Sequence, residues 1–245
     1  MRKRTDRAVR GEGEASGTLL GNAPVLARIT ETLGGWIQDG TLAPGEALEE
    51  RKLGARLGTG HTTVREALLL LADQGLAVPR SEGGFRTAPL AREEGEDLFR
   101  LLGELESRAL LRSGPRRALE LARLEELDAA RLDATDAPSR LAMDRRWHHH
   151  LLPARRIGRV ARGELDRLEV QITRYQLALL GDHPDDWSIV GPVLEHRGIV
   201  DALLRDRLRE AARRLEEHWV RGAGRVVSGW PLPGADGTTT SPAAA

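Results

Sequence analysis

An aspartate and a histidine four residues apart, Asp144 and His148, lie within the stretch LAMDRRWHHHLLPARR, in which three histidines stand in a row. Successive residues on a helix point about 100° apart, so His148, His149 and His150 cannot all ligate one ion. Asp144 and His148, at i and i+4, do share a face. That face also carries Leu141 and runs on to Leu151 and Leu152, so both polar groups lie along an apolar stripe. An unpaired carboxylate and imidazole are expensive to bury there. A metal ion would satisfy them, and so would an ion pair with an arginine. Two more histidines stand on inward faces: His196 with Ile199, Val200 and Leu203, and His218 with Ala211 and Leu215. A turn near Arg205 and Asp206 is expected between them. One carboxylate and three imidazoles suit a divalent ion such as Zn²⁺ or Ni²⁺, with room for water or a further carboxylate. His149 and His150 are left to solvent or to the support of the ligands, and His183, in GDHPDD, to a loop.

The elements that must position these groups follow from composition and periodicity. Of the 245 residues 40% are apolar but only 3% aromatic, so the core must be mainly Leu, Ala and Val, which favours packed helices. Basic and acidic residues balance at 37 each, so the molecule is no polycation. The absence of cysteine excludes disulfides, thiolate metal sites and a cysteine nucleophile. No apolar run approaches the ~18 residues of a membrane span. The start, MRKRTDRAVR, has no hydrophobic segment behind it and is no secretory signal. A cytoplasmic protein without a membrane partner is the expectation.

Residues 1–21 are polar and aperiodic and are expected to form a flexible basic arm, and residues 231–245, rich in Pro, Gly, Thr and Ala, a disordered tail. Between them lie two regions, 22–89 and 91–230. The second carries helical stripes: Leu98, Leu101, Leu102, Leu105 and Ala109; Leu119, Leu121, Leu124 and Leu127; Leu165, Leu168, Ile172 and Leu179; Ile199, Leu203, Leu208 and Leu215. Nothing in it alternates like a strand.

The first region reads as short elements. Pro44-Gly45 ends a turn, Glu49 to Leu57 is a short helix, GTGH breaks it, and Thr62 to Ala72 is a second helix with Val64, Ala67, Leu68 and Leu71 on one side. LAVP and FRT then flank RSEGG as a small hairpin. Helix, tight turn, helix and β-wing make a winged helix-turn-helix, whose second helix presents its first turn to the major groove. Hydroxyls and an imidazole there suit phosphates and base edges, and Arg65 can pair bidentately with guanine. The region holds seven Lys/Arg against eight Asp/Glu, so the case for DNA rests on local geometry. Arg51, Arg56, Arg65 and Arg80 are expected to cluster on one face.

DGTLAPGEALEERKLGARLG followed by TTVREALLLLADQGL resembles the DNA-binding domain of GntR-family transcriptional regulators over about 60 residues. The resemblance places DNA contacts on Arg51, His61, Thr62, Thr63 and Arg65, and the wing tip on Ser81–Gly84, with Arg80 and Gly83 in the contact set. Gly60-His61 stands where the family usually has Ser-Arg. The histidine gives up a permanent charge and a bidentate fork, so base preference at that contact should differ.

Within the second region, the stretch from about Asp97 to Val220 resembles the all-helical FCD effector domain of the FadR-type branch. Asp144/His148, Glu195-His196 and His218 match its pattern in order and spacing. The resemblance implies a divalent metal held by Asp144, His148, His196 and His218, a small organic acid effector at the bundle centre, and a homodimer. Two positions depart from the pattern: Leu102 stands where the family has an arginine ahead of Leu105-Glu106, and Ile157 where it has an asparagine, with Pro153 interrupting the helix. Arg174 and Tyr175, on a neighbouring stripe, are the candidate replacements for the effector clamp.

The fold expected is therefore mainly α, a winged helix-turn-helix followed by an FCD-like bundle. The function expected is that of a homodimeric regulator, a repressor rather than an activator, reading a palindromic DNA operator. A metal-dependent hydrolase and a regulator with a purely structural metal are the rival readings. Glu195 and Glu217 would be the general bases of the former, although each points about 100° from its neighbouring histidine.

Overall fold

The computed structural model describes residues 15–114, 118–182 and 190–230. The expected basic arm up to residue 14, the tail 231–245 and His183 lie outside the described residues. The chain opens with α1 (Ala15–Gln38), so helix already covers residues 15–21, which were expected to belong to the arm. Gly17, Gly21 and Pro24 interrupt the apolar pattern there and hide the helix in the sequence.

The elements that follow form the winged helix-turn-helix domain: β1 (Ala47–Leu48), α2 (Glu50–Leu57), α3 (His61–Asp73), β2 (Ala77–Pro79) and β3 (Phe85–Thr87). The α2–α3 turn is tight. Gly58 takes a left-handed conformation (φ 63°), and the Thr59 N–H donates to Gly54 O at 2.9 Å. A Cβ on Gly54 would stand 2.8 Å from Thr59 O, so no larger residue fits without moving the turn. α3 turns Val64, Ala67, Leu68 and Leu71 inward against Ile29, Leu33 and Ile37 of α1. The antiparallel sheet has the order β1-β3-β2, with Leu48 opposite Phe85 and Val78 opposite Arg86. The wing closes through Gly83 and Gly84, both at positive φ, and a 3.1 Å bond from Arg80 N–H to Gly84 O.

The remaining helices build a second core: α4 (Arg92–Arg112), α5 (Ala118–Asp133), α6 (Ala137–Leu151), α7 (Arg159–Asp182), α8 (Val190–Leu204) and α9 (Leu208–Ser228). α4 lies along α9, α5 against α6, and α8 against α9. Asp136 caps α6, its carboxylate accepting from the Ser139 N–H at 2.8 Å. Pro153 follows the end of α6, as its missing N–H requires. α8 and α9 are separated at Asp206, whose φ is 55°. The expected stripes bury their main members, with two corrections. Leu119 is 82% exposed and Leu101 54%, while the charged Glu106 is buried in the Leu98–Leu102–Ala109 stripe. Among the described residues no helix is long and apolar enough to cross a membrane.

Candidate functional site

On the winged helix-turn-helix domain, His61, Thr62 and Arg65 are exposed on the first turn of α3, and Arg51 is exposed on α2. Arg65 lies 3.3 Å from the Glu50 carboxylate, and Arg80 pairs with Glu82 across the wing tip. That bond is the main reason the exposed Glu82 carboxyl is pulled down to about 2. Gly83 is exposed at the tip. One expectation needs correction: Thr63 is turned into the domain, because it occupies the side of α3 that also buries Val64. Arg56, expected in the basic cluster, is exposed and lies over the Trp36 ring at 3.8 Å.

In the helical domain three rings converge. One ligand nitrogen from each of His148, His196 and His218 lies within 4.8 Å of the others, and all three residues are buried. Each ring donates its Nδ1–H to a carboxylate from another helix. His148 donates to Glu106 of α4 at 2.8 Å, His196 to Asp128 of α5 at 2.7 Å, and His218 to Glu195 of α8 at 2.7 Å. Such pairing fixes the tautomer and leaves Nε2 as the ligand atom. Nε2 of His148 and of His196 are buried with no hydrogen-bond partner. Asp144 Oδ1 lies 3.7 Å from His196 Nε2 and 2.7 Å from the Arg131 guanidinium. Orphaned, inward-facing imidazole nitrogens are what a cation needs, and these residues could hold a divalent ion.

Two tryptophans frame the centre. Trp147 stacks on His196 with centroids 3.7 Å apart, and Trp219 donates its indole N–H to Glu106 at 2.6 Å. The cavities left beside the ligands are small. One of about 20 Å³ lies between Asp144, His148, Ile172, Gln176 and Trp219; another of about 10 Å³ lies between Arg131, Asp144, His218 and Arg225. Each has room for roughly one water molecule or ion.

The charges are set against burial. Burial works to raise the Asp144 carboxyl, but Arg131, with His148, His218 and Arg225, outweighs it and holds the group low. Burial likewise opposes the charged form of His148, and the Glu106 carboxylate overcomes it and pushes the imidazole up. Burial, reinforced by the other rings and Arg131, keeps His196 well below its ordinary value, and burial also lowers His218. Asp128 is raised to about 7, again by burial.

The residues that sequence reasoning missed are the supports: Glu106, Asp128, Arg131 and the two tryptophans. The signal was present, because Asp128 and Arg131 continue the spacing of Leu121, Leu124 and Leu127 as charged residues on an apolar face. Glu195, weighed as a general base beside His196, serves His218 instead. Arg174 and Tyr175 are corrected as well. Arg174 is buried and donates to Ala88 O, and the Tyr175 hydroxyl meets Ala91 and Glu94, so both side chains engage the segment between the two domains rather than the histidines.

Residues 26–86 match the family described as bacterial regulatory proteins, gntR family. No curated protein matches the chain. Among solved structures, a GntR transcriptional regulator from Rhodococcus sp. RHA1 is 18% identical with a TM-score of 0.69, covering 84% of this chain and 99% of that one. McbR/YncC of E. coli is 19% identical with a TM-score of 0.70, covering 84% and 98%. At such identities the likeness is one of fold, and it spans both domains. Residues 26–86 are thus a winged helix-turn-helix of the gntR family of bacterial regulators, joined to a helical domain in the arrangement seen in solved GntR regulators.

Proposed function

We propose that the chain is a transcriptional regulator that binds duplex DNA through the first turn of α3 and the wing, and is controlled through a divalent metal held by Asp144, His148, His196 and His218. The observation that carries the control site is the convergence of three buried rings, each oriented by its own carboxylate. A bound ion would supply a Lewis-acidic positive charge able to attract carboxylate oxygens. Arg131 and Arg225 border the same space, so the chemistry favours a small organic acid as effector, with these two arginines in the clamp role expected of Arg174 and Tyr175. A two-fold dimer reading two half-sites is the assembly that suits a winged helix of this kind.

A second reading, a metal that is structural only, is favoured by the cavity size, since about 20 Å³ admits no organic acid without displacement of a wall. A hydrolytic reading lacks support, because Glu106, Asp128 and Glu195 each accept from a ring nitrogen, which ties up the nearest candidate bases. Metal analysis of the purified protein, joined to a thermal-shift screen of small carboxylates with and without chelator, separates these readings. Metal present and a carboxylate raising the Tm only in its presence is the expected result. Metal with no responding acid would favour the structural role, and absence of metal after zinc loading would sink both.

A further inference from the structure

α7 carries two stripes that face different partners. Glu169, Ile172, Thr173 and Gln176 line the cavity beside Asp144 and His148. Val170, Gln171, Arg174 and Tyr175, between them in sequence, face the DNA-reading domain and the segment leading into α4. Val170 packs against the core of that domain. Gln171 sits so close over Gly75 that a Cβ there would stand 2.8 Å from its amide carbon. Arg174 donates to Ala88 O.

Tyr175 makes the most specific contact. Ala91 is the N-cap of α4 and has no side-chain oxygen to offer. In a capping box the N3 carboxylate reaches back to the N-cap N–H. Here N3 is Glu94, and the Tyr175 hydroxyl stands between the two. It accepts from the Ala91 N–H at 3.1 Å and lies 3.1 Å from Ala91 O and 3.3 Å from the Glu94 carboxylate. Its ring presses on Gly95, where a Cβ would come within 2.7 Å. A residue on α7 therefore completes the start of α4, at the junction of the two domains.

We propose that α7 transmits occupation of the metal centre to the interdomain segment, with Tyr175 as the positioning residue that latches α4. The two stripes belong to one rigid helix, so a rotation or shift that accommodates a ligand at Glu169, Ile172 and Gln176 moves Tyr175 relative to Ala91. The cavity holds roughly one water-sized particle, so a zinc ion that keeps even one water of hydration already requires such a shift of its α7 wall. This inference rests on the metal-centre reading above.

The test uses the full chain, zinc alone as the probe, and hydrogen exchange at residues 88–94, with metal content measured in parallel. Zinc should change exchange of these amides by about tenfold in the unmodified protein. Tyr175→Phe keeps the ring on Gly95 and removes the hydroxyl; it should bind zinc normally and lose the response. A Tyr175 that served only structure would raise exchange equally with and without zinc, which would overturn the proposal. Glu94→Ala, at an exposed position, keeps the measurement open if the first variant does not fold, and should at least halve the response; an unchanged response would count against the latch. Zinc bound by the unmodified protein with no change at 88–94 overturns the transmission and leaves the metal centre standing. No zinc bound overturns the metal-centre reading and the transmission with it.

Discussion

Glu195 lies next to His196 in the chain yet bonds His218, its carboxylate accepting from that ring's Nδ1–H at 2.7 Å across the α8–α9 interface. One turn of α8 thereby sends a ring toward the centre and a carboxylate to the next helix. Removing such a support typically weakens metal affinity by about 10- to 100-fold. Glu195→Gln is therefore expected to lower zinc affinity in that range in a competition titration with a chromogenic chelator. His218→Ala should lower zinc content outright while far-ultraviolet circular dichroism keeps its helical shape. Unchanged stoichiometry in His218→Ala would remove that residue from the ligand set.

Asp144 and Arg131 form a pair 2.7 Å apart, both nearly inaccessible to solvent. Deleting one partner leaves the other charge buried alone, at a cost of about 3–5 kcal/mol. Asp144→Ala in chelator should lower the urea midpoint accordingly. The double variant with Arg131→Met should recover most of the loss, because an apolar pair of similar volume is often neutral or better. A single variant as stable as the parent would show that the guanidinium finds water or another acceptor.

Metal binding should release protons below neutral pH, and the sign follows from His148. Glu106 raises this imidazole against the effect of burial, so the ring keeps its second proton to higher pH than a free imidazole does and must lose it to offer Nε2 as a ligand. His196 and His218 are lowered and come to the metal already neutral. Zinc affinity is then expected to fall as pH drops through the raised His148 value, with the number of protons released per ion rising as pH falls. Calorimetric titration in two buffers of different ionisation enthalpy measures that number. Glu106→Gln should move the fall in affinity to lower pH; a pH profile that stays in place would assign the proton to another group.

On the DNA side, Arg65 and Thr63 should behave differently although both fall in the matched recognition turn. Arg65 is exposed, and its removal is expected to cost about 1–3 kcal/mol of duplex binding and relax base preference. Thr63 is buried, and Thr63→Val, of similar shape, should leave duplex affinity within about twofold. Fluorescence anisotropy over a range of salt concentrations distinguishes the two. A Thr63→Val variant that binds as weakly as Arg65→Ala would return Thr63 to the contact set.

The winged helix was legible because its signals are local: the glycine break, the Val64–Leu71 spacing and the Gly-rich wing are all read within a few residues. The four candidate ligands were legible for a related reason, since each is a polar residue on its own helix's apolar stripe. Their supports were harder to find. Which carboxylate meets which ring depends on helix packing, so Glu195 could not be assigned to His218 from spacing along α8. Arg174 and Tyr175 show the same limit from the other side. Their stripe was readable, but whether it faced the histidines or the start of α4 was decided by how the two domains meet. Thr63 was lost to the 3.6-residue period, which carries the third residue of α3 inward along with Val64.

The indole rings against the histidines have a practical consequence. Trp147 lies face to face with His196 at 3.7 Å, and Trp219 stands 4.7 Å from His148. Excited indoles lose energy readily to a protonated imidazole in contact with them, and less to a neutral or ligated one. Because His148 is the ring whose proton is favoured, the Trp219–His148 contact gives the chain an optical gauge of what that ring holds, readable in emission without a label.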